Sequence, residues 1–412
     1  MNVTIVGGGF GGVKTALELA KNSRNEITLI SDREDFQYYP ALYSTATGHS
    51  HFESWIALGE IFADKNNVQV CIDKIETIDP EQKKLTGASG TVYDYKTCVL
   101  ALGSVTTYFG IEGLDTYAYG IKSEAEIKRL KQHIYEDIAE RGQLDSHYVI
   151  VGGGPTGVEL AASLGEYLER LTKRYRVKRH GVHISLVEAS PRLLPRSAEI
   201  TSHKVLNRLK RLGIHVETGK MVQSASDHDL VISGRPLASS TVIWTSGVAN
   251  SPFFEANKEH FQFAKNHRII VDEHMMAAPD VYVIGDNAAS KFGGLALTAV
   301  RDAKFVAKHL TRKSKRQKLH AYKQKAPATV VPVGGWWAAF EWKSVRLYGW
   351  PAGVIRRFAD LVGYHDILPL SQALSKLQSG ELFEDDYFTP SPDIRDREYA
   401  PVPESSSDHT KS

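Results

Sequence analysis

Gly7, Gly9 and Gly12 stand in the spacing G-x-G-x-x-G, and Gly152, Gly154 and Gly157 repeat it. Such a turn can take up a diphosphate through bare main-chain amides. Gly7 permits the tight turn, Gly9 lacks a Cβ and lets the backbone approach the anion, and Gly12 lets the helix pack closely on the strand. Phe10 and Gly11 complete the first turn. The helix N-terminus then offers free N–H groups and the positive end of its dipole. Gly152, Gly154 and Gly157 take the same roles in the second turn. A carboxylate closing the next strand accepts hydrogen bonds from a ribose. Glu188, at the end of HISLVE, is that carboxylate for the second turn. It stands 31 residues after Gly157, because LERLTKRYRVKRHG lengthens the crossover. No arginine directly follows it, and a carboxylate repels a 2′-phosphate, so NADH is favoured over NADPH. For the first turn the ribose role falls to Asp32, 20 residues after Gly12 and followed by Arg33. The alternative is that Asp32 caps the next turn and Ser31 faces the ribose.

The elements that must hold these turns are legible around them. NVTIVGGGFGGVKTALELA opens the chain and HYVIVGGGPTGVELAASLG follows 145 residues later. Each is a β-branched run, a glycine cluster and apolar residues at helical spacing, which predicts strand, turn and helix twice. A period that long fits two related domains rather than a solenoid. ITLIS and HISLVE read as second strands, and KTCVLALG, TVIWTSG and VYVIGDN as apolar strands ending in glycine. Strands alternating with helices predict an α/β fold with parallel sheets covered on both faces.

Composition narrows the function classes. Apolar residues at 42% and charged residues at 24% of 412 describe a globular chain of two to three domains. A net charge of +2 argues against nucleic-acid binding driven by bulk charge, though a local basic patch can hide within it. Cys71 and Cys98 lie in apolar strand-like runs, VQVCID and TCVLAL, and read as buried, reduced thiols. No apolar run reaches 18 residues, so no transmembrane helix is expected, and MNVTIV does not read as a signal peptide. No metal site is expected.

Two such units, the second inserted in the first, resemble the two-dinucleotide flavoprotein reductases. In that superfamily the first unit binds FAD and the second a nicotinamide dinucleotide. The resemblance implies that Gly285 and Asp286 of VYVIGDN reach the flavin ribityl chain. It makes Gly103 part of the strand leading to the second domain and Gly247 part of the strand leading back. Within the superfamily, residues 1 to 375 resemble type II NADH:quinone oxidoreductases. ITLISDREDFQYYPALYSTATG puts Pro40 and Tyr43 where that family lines the isoalloxazine, and GGGPTGVELA with VEASPRLLP resembles its NADH-binding stretch. Glu159, placed on the first turn of the second helix, is where the family orients the nicotinamide carboxamide. Read from the residues alone, Glu159 is equally a carboxylate stabilised by the helix dipole. The family also carries Ala-Gln, three residues, then Gln beside the flavin. Here that segment is Ala296, Leu297, Thr298, Ala299, Val300, Arg301, with both glutamines replaced. The amides opening this helix, at Leu297 and Thr298, still suit a negatively charged reduced flavin.

The expected organisation follows. Residues 1–113 and 251–330 form the FAD domain, 114–250 the NAD(H) domain, 331–385 a C-terminal membrane or interface region, and 386–412 a disordered tail. Residues 331 to 380 hold four of the six tryptophans. Within them Val354, Ile355, Phe358, Leu361 and Val362 share one helical face, and Arg356, Arg357 and Asp360 the other. Aromatic residues beside cations suit a helix lying in a membrane interface. This predicts a cytoplasmic protein, peripheral on the inner face of the cell membrane; the alternative is a core or homodimer contact. Three functions compete. One is an NADH dehydrogenase passing hydride to FAD and two electrons to a quinone-type acceptor. The second is a flavoreductase acting on a ferredoxin- or rubredoxin-type protein or oxygen, and the third a non-enzymatic flavin-bound redox sensor.

Overall fold

A computed structural model describes residues 1–141, 147–176, 182–239 and 241–384. The tail expected at 386–412 lies outside the described residues. The opening strand Asn2–Val6 is central to a six-stranded sheet. The strand order is Met276–Ala278, Val281–Val283, Cys98–Leu100, Asn2–Val6, Glu26–Ser31, Val68–Ile72. All neighbours run parallel except the first pair. The inner strands are covered on both faces, so their residues have no solvent side. Ile5, Leu29, Val99, Leu100 and Val283 are all fully buried. Helix Phe10–Ala20 packs on helix Ala296–Ser314 across one face.

The second glycine cluster follows His147–Val151. That strand lies in a parallel four-stranded sheet of order His215–Thr218, His183–Glu188, His147–Val151, Thr241–Trp244. The chain passes between the two sheets twice. The outgoing segment Ser104–Thr106 pairs antiparallel with the returning segment Val248–Asn250. Strands from the two outer stretches build the larger sheet, and those between 114 and 250 build the smaller.

Beyond these, Thr329–Pro332, Ala338–Trp342 and Val345–Gly349 form an antiparallel sheet, followed by helices Trp350–His365 and Leu370–Ser379. The amphipathic helix sits with its polar face inward. Arg356 and Asp360 turn toward the protein, while Phe358 is 64% and Val362 59% exposed. Trp350 at its start is 71% exposed. Among the described residues no helix is long and apolar enough to cross a membrane. Two expectations need correction. Cys98 is buried, but Cys71 is only partly so, because its strand Val68–Ile72 is the sheet edge. Glu159 is the fifth residue of helix Pro155–Arg174, so it lies in the second turn, beyond the reach of the N-terminal amides.

Candidate functional site

The first glycine turn forms one wall of a cavity of about 910 Å³. Gly7 has φ +114°, and a Cβ on it would meet the Ala101 carbonyl oxygen at 2.3 Å. At Gly12 a Cβ would meet the Gly7 oxygen at 1.9 Å, so the helix can approach the strand only without one. At Gly9 a Cβ would meet nothing within 4 Å. Gly9 precedes helix Phe10–Ala20, which has no side-chain cap, so its first amides are left for a ligand. Gly7, Gly9, Phe10, Gly11, Asp32 and Arg33 all line the cavity. Ser31 does not. It is buried, and its hydroxyl donates to the Arg33 oxygen at 2.7 Å.

The opposite wall carries Gly103, Ser104, Gly247, Gly285 and Asp286. The Asn287 amide clamps Gly103, accepting from its N–H at 2.9 Å and donating to its oxygen at 2.6 Å. The Ser104 hydroxyl donates to Asp286 Oδ2 at 2.9 Å. Lys122, which sequence reasoning missed, donates to the Ser104 oxygen at 2.7 Å. Burial pulls its ammonium down to about 8, against the raising effect of Asp286. Gln37 donates to the Lys122 oxygen at 2.6 Å and accepts from Arg33 at 2.5 Å. A polar chain therefore runs from the ribose side of the first turn to Asp286. Behind it, buried Asp302 accepts from the Gly285 N–H at 3.1 Å and the Tyr322 hydroxyl at 2.5 Å, fixing the turn that presents Asp286.

The second glycine turn repeats the first in detail. Gly152 has φ +121°, Gly154 faces open space, and a Cβ on Gly157 would lie 1.8 Å from the Gly152 oxygen. Glu188 accepts from the Gly153 N–H at 2.5 Å and the Ser190 N–H at 2.6 Å, which holds its carboxylate beside the turn. Thr156, opening the second helix, lines the same cavity as the first glycine turn.

Residues 1–303 match the family described as pyridine nucleotide-disulphide oxidoreductase. The chain belongs to that family. Among curated proteins, the type II NADH:quinone oxidoreductase of Staphylococcus saprophyticus is 29% identical over 304 residues, 70% of this chain and 74% of that one. The Staphylococcus aureus protein of the same name is 27% identical over 332 residues, 75% of this chain and 82% of that one. Among solved structures, NDH2 from Plasmodium falciparum in complex with NADH superposes with a TM-score of 0.82 at 18% identity, covering 92% of this chain and 97% of that chain. The sulfide:quinone oxidoreductase of Aquifex aeolicus superposes at 0.75, also at 18% identity, covering 92% of each chain.

This pyridine nucleotide-disulphide oxidoreductase brings no dithiol to its cavity, since neither Cys71 nor Cys98 lines it. The resemblance-based positions are partly displaced. Tyr39 and Leu42 line the cavity where Pro40 and Tyr43 were expected. Pro40, in the short helix Tyr39–Ala41, lies off the cavity, and its oxygen accepts from Arg356 Nη2 at 2.9 Å. Likewise Leu295, Ala296 and Ala299 line the cavity. Leu297 is exposed, and the Thr298 hydroxyl donates to the Phe292 oxygen at 2.8 Å. Gly12, Gly152, Gly154, Gly157 and Glu188 lie off this cavity, as packing residues or parts of the second turn.

Glu159 is buried in the oxidoreductase against the C-terminal helix. Arg356 Nη1 lies 3.6 Å from its Oε1, and Arg356 Nε donates to Asp360 Oδ2 at 2.8 Å. Burial pushes Glu159 up to about 8 over the opposing pull of Arg356. Nearby Glu53 accepts from the Ser44 and Thr45 hydroxyls and is also pushed up to about 8 by burial. Both values exceed the ordinary 4.5, so the native protein holds protons that the unfolded chain has released. This stabilisation is full below pH 4.5 and declines as pH rises toward about 8. Urea midpoints of wild type should fall across that window. Glu53→Gln should show a shallower fall, and an unchanged slope would remove Glu53 from this role.

Proposed function

We propose that the chain is an FAD-dependent NADH dehydrogenase that passes electrons to a quinone-type acceptor at a membrane surface. One observation carries the reading: the start of the second dinucleotide helix, at Thr156, and the first glycine turn line one cavity. Hydride transfer requires that the two cofactors meet. The cradle fits FAD, with open amides at Gly9 and a carboxylate at Asp32 for a ribose. FAD, when bound, accepts hydride from NADH and releases two electrons. The protein's part is position and electrostatics. Gly9 and Gly154 give main-chain amides to the diphosphates. Asp286, held by Ser104, which Lys122 holds in turn, faces the ribityl position. Lys122 adds a cation in a cavity where the reduced cofactor carries negative charge. Glu188 favours NADH by repelling a 2′-phosphate. The inward-turned Arg356 and outward-turned Phe358 and Val362 support a surface that rests on lipid.

Replacement of both family glutamines, by Leu297 and Arg301, favours a second reading in which a small redox protein or oxygen takes the electrons. Anaerobic stopped-flow separates the two. NADH should bleach the flavin, and a soluble quinone should restore its colour. Bleaching without recovery by quinone supports the second reading. Absence of bleaching by either NADH or NADPH rejects both.

A further inference from the structure

The net charge of +2 conceals a strong separation of charge. Residues 303 to 325 hold nine of the chain's 50 Lys and Arg and none of its 48 Asp and Glu, so the rest of the chain is net negative. On helix Ala296–Ser314 and its cap, Arg301, Lys304, Lys308, Arg312 and Lys315 follow at steps of three and four, which lines them along one face. The chain then turns back along the helix and is pinned to it three times. Arg312 Nη1 donates to the Lys318 oxygen at 3.0 Å. The Tyr322 hydroxyl donates to Asp302 at 2.5 Å. Arg301 Nη1 donates to the Lys325 oxygen at 2.9 Å. Helix and strap therefore form one cationic ribbon. Lys308, Lys315, Arg316, Lys318, Lys323 and Lys325 are exposed and form no ion pair with any described residue. Like charges at such spacing destabilise a helix, so the fold gains nothing from the stripe by itself.

We propose that this ribbon docks on the headgroups of anionic phospholipids. The choice of a lipid surface rests on what adjoins the ribbon. Lys304 Nζ meets Asp366 Oδ1 at 2.7 Å, immediately after the helix whose apolar side faces outward through Trp350, Phe358 and Val362. Cations beside exposed aromatic and aliphatic side chains match the two layers of a membrane interface, charged headgroups and acyl chains. The inference rests on the membrane reading above. It adds the lipid class and assigns it to residues outside the aromatic region.

Flotation of the flavin-loaded protein tests it, with vesicles of phosphatidylcholine alone and of phosphatidylcholine and phosphatidylglycerol in equal parts. Wild type should prefer the anionic vesicles and lose that preference at high salt. The combined variant Lys315→Gln, Arg316→Gln, Lys318→Gln should bind them roughly a hundredfold more weakly, at about fivefold per cation. Its flavin content and NADH–ferricyanide turnover should match wild type, which shows that it is folded. Trp350→Ser with Phe358→Ser should weaken binding to both vesicle types. If the triple variant floats like wild type, or wild type shows no lipid preference, the ribbon is not a headgroup site while the membrane reading survives. If wild type floats with neither vesicle, both fail. Retention on polyglutamate without flotation would point to an acidic protein partner and overturn the proposal.

Discussion

Gly9→Asp should give a colourless protein, and Gly154→Asp a yellow one that responds only weakly to NADH. Both positions have backbone angles open to any residue, with φ −89° at Gly9 and φ −72° at Gly154. Neither added Cβ would meet an atom within 4 Å, so folding is spared. What changes is charge. A carboxylate placed at a helix N-terminus is stabilised by the same amides that a diphosphate needs. A second negative charge about 4 Å away costs about 4 kcal/mol at an effective dielectric near 20, roughly a thousandfold in affinity. Gly9→Asp should therefore lose FAD on gel filtration, and its apoprotein should titrate with FAD at a far higher Kd. Gly154→Asp should keep its flavin spectrum and thermal midpoint while KM for NADH rises by roughly a hundredfold or more. The pair assigns each turn to its cofactor. The reverse pattern would exchange the two domains' roles, and no effect from either would remove both sites.

Arg356→Met should destabilise the C-terminal helix by about 3–5 kcal/mol, the usual cost of leaving buried charges without their partner. The guanidinium holds Asp360 on its own helix, the Pro40 oxygen on the short helix Tyr39–Ala41, and Glu159 on the second dinucleotide helix. One side chain thus joins three parts of the chain. Its removal leaves Asp360 uncompensated in a buried site and raises Glu159 further, since Arg356 was the group lowering it. Hydrogen exchange in 350–379 should rise well above that of the first sheet. Adding Asp360→Leu should recover part of the loss, because removing both members of a buried pair costs less than removing one. Arg356→Lys should recover less, since an ammonium cannot match the guanidinium's three separated contacts. If exchange in this segment is unchanged by Arg356→Met, the helix is held by its apolar contacts alone.

The sequence by itself determined the two strand–glycine–helix units, the nested order of the two sheets and the carboxylates beside each turn. These signals are local. A glycine that must accept φ +114°, or one whose Cβ would lie 1.9 Å from a neighbouring oxygen, leaves its mark at a single position. A strand buried on both faces likewise writes its burial into consecutive residues. Tertiary structure decided what these parts enclose. Lys122 meets Ser104 across 18 residues of sequence, and Ser104 meets Asp286 across 182, so no spacing rule could pair them. Tyr39 and Leu42, rather than Pro40 and Tyr43, line the cavity because a short 3-10 helix sets successive residues about 120° apart around its axis, which a motif does not record. The C-terminal helix shows the limit most plainly. Its two faces were legible, but which of them points inward depends on the buried carboxylates of distant elements, and here they select the charged face.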